Sequence, residues 1–67
     1  MKPKLGVTIN YVDLHSHIRP AIITVVHHDE KTVDLAVFFP ERLDFRHNVK
    51  LDSDKPHEVN TWHWPEN

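Results

Sequence analysis

Residues 43–51, Leu-Asp-Phe-Arg-His-Asn-Val-Lys-Leu, alternate apolar and polar positions with a period of two. That pattern gives each strand one face to bury. A helix would instead need apolar residues three and four apart. Leu43, Phe45, His47, Val49 and Leu51 are assigned to the buried face, and Asp44, Arg46, Asn48 and Lys50 to the solvated one. Residues 32–39 repeat the period, with Val33, Leu35, Val37 and Phe39 on one side. Their other side is not fully polar: Phe38 falls there beside Ala36, where a monomer prefers a polar residue.

The same reasoning predicts strands over 7–13, 20–28, 32–39, 43–51 and 59–64, and no helix longer than two turns. Segment 20–28 is apolar on both faces: Ile22, Thr24, Val26 and His28 on one, Ala21, Ile23, Val25 and His27 on the other. Such a strand is expected to be covered on both sides. His28-Asp29-Glu30-Lys31 reads as a tight hairpin, and the lack of glycine there favours a type I turn with a bulge over a type I′ turn. Pro40 ends the third strand, Pro65 the last, and 52–58 reads as a polar loop. The expected fold is all-β: a small five-stranded SH3-like barrel or an open β-sandwich.

One domain spans residues 1–67, with 1–4 expected to be flexible. A chain this short buries only about 60% of the surface it exposes when unfolded, so its core is marginal. There is no cysteine to supply a disulfide. Both tryptophans, Trp62 and Trp64, lie in the last six residues, and a tail with such side chains must dock on something. Spaced two apart in a strand, they share a face that His63 does not. The bland reading places them in the core. The sharper one makes Tyr11, Phe38, Trp62 and Trp64 an aromatic surface for a ligand or an oligomer contact. The doubly apolar strand and Phe38 together predict a homo-oligomer, with Phe38 and part of 20–28 at the contact.

Seven histidines are candidates for chemistry. His15, His17, His28 (or its neighbour His27) and His63 are the residues that would supply a metal site. Their spacing matches no zinc signature, so no metal or cofactor is expected. Ser16 between two histidines does not make a catalytic triad without a cleft and an oxyanion hole, and the chain is not expected to be an enzyme. The formal charge is -2, and Arg42, Arg46 and Lys50 alternate with Glu41, Asp44 and Asp52, which reads as a solvated face rather than a nucleic-acid surface. No apolar run approaches the roughly 20 residues that span a bilayer, so no membrane partner is expected, and the absence of cysteine points to the cytoplasm.

Three stretches carry a resemblance: Arg19-Pro20-Ala21-Ile22-Ile23-Thr24-Val25-Val26, Thr32-Val33-Asp34-Leu35-Ala36-Val37-Phe38, and the ending Thr61-Trp62-His63-Trp64-Pro65-Glu66. Together they resemble a group of small phage and prophage proteins that end in TWHWPE. The ending is the specific part; the strands are generic. This chain has Phe39-Pro40-Glu41 where many of that group have a glycine-containing turn, so that loop is expected to differ. No catalytic or ligand residue carries over. The resemblance implies an accessory protein acting in the cytoplasm of an infected bacterium, binding a host protein or sequestering a small molecule. A virion assembly role and a histidine-based metal-binding role are the alternatives.

Overall fold

The computed structural model describes residues 2–52 and 58–65. It is all-β. Five strands, β1 (Thr8–Val12), β2 (Ile18–Val26), β3 (Val33–Phe39), β4 (Arg42–Leu51) and β5 (Thr61–His63), close into a barrel in chain order. This is the five-stranded barrel, consistent with an SH3-like one, and not the open sandwich. Neighbours pair antiparallel, except that the short β5 closes the barrel by lying antiparallel to β1 and parallel to β4. Among the described residues no helix is long and apolar enough to cross a membrane. The stretch read as a loop over 52–58 falls mostly outside the described residues.

The core is built from the inward positions of all five strands. Ile9, Tyr11, Ala21, Ile23, Val33, Leu35, Val37, Val49 and Trp62 are buried together, with Val7, Val26, Phe39, Leu51 and Trp64 packed against them. Trp62 sits opposite Tyr11 on β1 and Leu51 on β4, so the last strand plugs the seam it closes. Its indole Nε1–H donates to the Lys31 carbonyl at 2.8 Å, and the Trp64 ring meets it edge-on with centroids 5.1 Å apart. Buried tryptophan needs such a partner for its polar end.

Turns form almost without glycine. Ser16, Glu30 and Asn60 in turns, and Asn48 within β4, adopt positive φ, at 63°, 59°, 60° and 54°. Aspartate side chains hold two of these turns. Asp13 Oδ1 accepts from the backbone N–H of His15 and of His17, and Asp29 Oδ1 accepts from those of Lys31 and Thr32. In the β2–β3 hairpin, Glu30 N–H donates to the His27 carbonyl at 3.0 Å and His27 N–H to that of Thr32 at 2.9 Å. This agrees with the expected turn with a following left-handed residue.

The face assignment of β4 is corrected by a β-bulge. Val33 pairs with Val49, but Leu35 pairs with Arg46, so β4 carries one residue more than β3 between those points. One extra residue exchanges the two faces of a strand. Val49 and Leu51 point inward as expected. Leu43 and Phe45 point outward and are exposed, while Arg42, Asp44 and Arg46 share the inward side with Phe39, Val37 and Leu35. A second bulge lies between Ile23 and Val25, so Val26 turns in and Val25 turns out, reversing their expected faces.

Both bulges meet at Asp34. Its Oδ1 accepts from Asn48 N–H at 2.9 Å and lies 2.8 Å from His27 Nε2, and its Oδ2 lies 3.2 Å from His47 Nδ1. Thr24 Oγ1 donates to the Asp34 carbonyl at 3.2 Å. Left-handed backbone is tolerated by Asn and Gly but strained for a β-branched residue. We expect Asn48→Val to cost about 1–2 kcal/mol and Asn48→Gly only a few tenths, read from urea unfolding midpoints. Equal midpoints for the valine variant and the parent would contradict the bulge.

Candidate functional site

The outward bulge phase of β4 creates a surface that the sequence pattern hides. Ile22, Ala36 and Phe45 lie side by side across β2, β3 and β4, and Thr8 of β1 continues the row. Two residues further along, Phe38 and Leu43 are direct cross-strand partners. Phe38 is 42% exposed, Leu43 50% and Phe45 56%, whereas Ala36, placed between Ile22 and Phe45, is 8% exposed. Three large apolar side chains therefore stand together on the barrel wall. Single exposed apolar residues are ordinary; here three stand contiguous.

The sequence-selected aromatics divide between inside and outside. Tyr11 and Trp62 are fully buried, and the Tyr11 hydroxyl donates to Asn60 Oδ1 at 2.8 Å. Neither can belong to an aromatic surface, because both fill the barrel. Trp64 is half-buried against Trp62. Phe38 alone of the four stands well exposed on the wall, and its companions there are Leu43 and Phe45. Those two were missed because unbroken alternation put them inside. The available signal was Asn48, a residue that favours left-handed backbone, in the middle of the alternating run.

The candidate metal ligands are not gathered. His15 and His17 are exposed on the loop after β1, with ring centroids 6.3 Å apart. His28 is exposed in the β2–β3 turn, and His63 is buried opposite Asn10. Among the described residues no group of three or more His, Cys, Asp or Glu side chains is placed to hold a metal ion.

Three aspartates stay ionised far into acid. Asp34 is held at about 2 by the Asn48 N–H first, then by His27 and, against burial, by His47. Asp29 is also at about 2, from the backbone N–H groups of Thr32 and Lys31 and the Thr32 hydroxyl. Burial pushes the Asp13 carboxyl up, but the His17 N–H, Arg19 and the His15 N–H outweigh it and bring it to about 2. An ionised carboxylate only accepts, so His27 Nε2 carries the hydrogen it shares with Asp34. These groups fix the turns that set the strand register, and thus which side chains the wall presents.

Compared with known proteins, the chain matches no family model, no curated protein and no solved structure.

Proposed function

We propose that this chain is a small non-enzymatic binding protein that works as a homodimer, joined through the outer face of β2, β3 and β4. The observation that carries the reading is the Phe38–Leu43 pair beside the Ile22–Ala36–Phe45 row, exposed together on a wall that charged residues would otherwise occupy. A standard interface covers about 800 Å² per partner. Against a total surface of 4802 Å², that is a large share of so small a protein, and it would bury the apolar outer face of β2, β3 and β4. A two-fold contact lays the same patch against itself, so Phe38, Leu43 and Phe45 would meet their own counterparts. Interface centres are enriched in such aromatics and poor in charge.

The TWHWPE ending supports a phage-type accessory role in the bacterial cytoplasm, with a host protein or a small molecule as target. Pairing would double the number of target sites per assembly and strengthen binding to a multivalent target without any new contact.

Phe45→Asp puts a charge at the middle of the patch without touching the core. Light scattering at micromolar concentration is expected to give a mass near twice 7.9 kDa for the parent and near 7.9 kDa for Phe45→Asp. A parent mass of 7.9 kDa that does not change with concentration would overturn the reading.

A further inference from the structure

We propose that the end of the barrel formed by Arg19, Arg42 and Arg46 around Phe39 binds a phosphorylated small molecule. This site is separate from the wall: it opens where β1 and β3 end and β2 and β4 begin. The inverted phase of β4 brings Arg42 and Arg46 to the inner side, opposite Phe39 and Leu35, and Arg19 reaches the same end from β2. Their guanidinium carbons lie 4.6, 5.6 and 5.6 Å from the Phe39 ring centre for Arg42, Arg46 and Arg19. Three guanidinium groups thus share one aromatic ring where a barrel would ordinarily close with an apolar layer.

Like charges at that spacing repel, and the protein offsets two of them. Asp13 Oδ2 accepts from Arg19 Nε at 3.0 Å, and Asp44 Oδ2 from Arg46 Nη1 at 2.8 Å. Arg42 has no such ion pair among the described residues and is exposed. Beside it lies a recess of about 370 Å³ lined by Asp13, His15, Arg19, Phe39, Pro40 and Arg42, with Glu41 of the β3–β4 turn also on its wall. That volume is at the small end of ligand-sized pockets.

The chemistry of the cluster selects the ligand. A guanidinium packed on an aromatic face keeps its in-plane N–H fork free, and that fork matches the paired oxygens of a phosphate or carboxylate. A phosphate monoester brings nearly two negative charges at neutral pH and three acceptor oxygens. It can engage Arg42 together with the donors of Arg19 not given to Asp13 and His17, whereas a carboxylate brings only one charge and two oxygens to the same guanidinium groups. The Phe39 ring is already crowded by guanidinium groups, so phosphate, not base stacking, supplies the recognition.

The test is an NMR titration of the arginine Nε–Hε and backbone amide signals at low salt, with AMP, inorganic phosphate and adenosine as probes. AMP is expected to saturate shifts at Arg42, Arg19 and the 39–42 turn at about 1 mM or below, with adenosine inert. Raising the salt should weaken it, as screening of charge requires. Inorganic phosphate shifting the same signals also supports the site and confines recognition to the phosphate group. Arg42→Gln, an exposed change, should leave the amide spectrum folded and weaken AMP by about tenfold or more. The proposal is overturned if neither phosphate probe gives saturable shifts up to about 10 mM. It is also overturned if adenosine binds as well as AMP, or if Arg42→Gln binds AMP like the parent. Because Phe45→Asp lies on the wall, its monomerisation and AMP binding can fail separately.

Discussion

Trp62→Ala is expected to remove most of the stability of this barrel, by about 3–5 kcal/mol. Trp62 is the largest fully buried side chain, and it joins β5 to both neighbours at the closing seam. Truncation would leave a cavity against Tyr11 and Leu51, strip Trp64 of its edge-on partner, and orphan the Lys31 carbonyl that the indole N–H satisfies. Small domains have total stabilities of about 5 kcal/mol upward, so the variant should be largely unfolded at 37 °C. Trp62→Phe keeps most of the volume and loses the hydrogen bond, and should cost about half as much. Deleting residues 61–67 should be at least as severe. A truncated chain that melts like the parent would mean that the tail serves a partner instead of the core.

The second large effect lies at Asp34. It supports a bulge on β4, ties in His27 and His47, and its own carbonyl receives Thr24. Asp34→Ala removes three acceptor contacts at once and is expected to cost about 2–3 kcal/mol. The pH dependence has a definite sign. Asp13, Asp29 and Asp34 have carboxyl groups at about 2 in the folded chain, below the ordinary 3.8. A carboxyl depressed on folding contributes stability that is fully present above its unfolded value and lost as the pH falls through the folded one. Stability from these groups should therefore be full above about pH 5 and fall away between about pH 5 and 2. Urea midpoints measured across that range should decline more gently in Asp34→Asn than in the parent. Parallel declines would remove Asp34 from the acid response.

Much of the barrel was legible in local pattern. On β3 the alternation of Val33, Leu35 and Val37 against Phe38 holds along the whole strand, because the extra residue at each register shift lies on β2 or β4. Of the two readings open for the tryptophans, the core one holds for Trp62, while Trp64 packs half-buried against it. The faces of β4 and the end of β2 were not legible. The β4 bulge is held by the Asp34 side chain, 14 residues before Asn48, and the β2 bulge by the Asp34 carbonyl that receives Thr24 Oγ1, neither of which shows in periodicity. A strand with one inserted residue looks unbroken in sequence, yet its two halves present opposite faces. That is why Leu43 and Phe45 emerge on the wall, and why Arg42 and Arg46, which read as a solvated face, gather at the barrel's end around Phe39. The number of histidines carries no information about convergence, and the fold leaves His15, His28 and His63 in different places.

The most direct measurement of the proposed dimer is an isotope-filtered NOE experiment on an equimolar mixture of labelled and unlabelled protein, which reads only contacts between two copies. The predicted result is a set of intermolecular cross-peaks from the Phe38, Leu43 and Phe45 side chains to one another. An absence of intermolecular cross-peaks, or cross-peaks confined to Trp64 and the loop after β1, would contradict the assignment of the β2–β3–β4 wall as the surface through which this protein pairs.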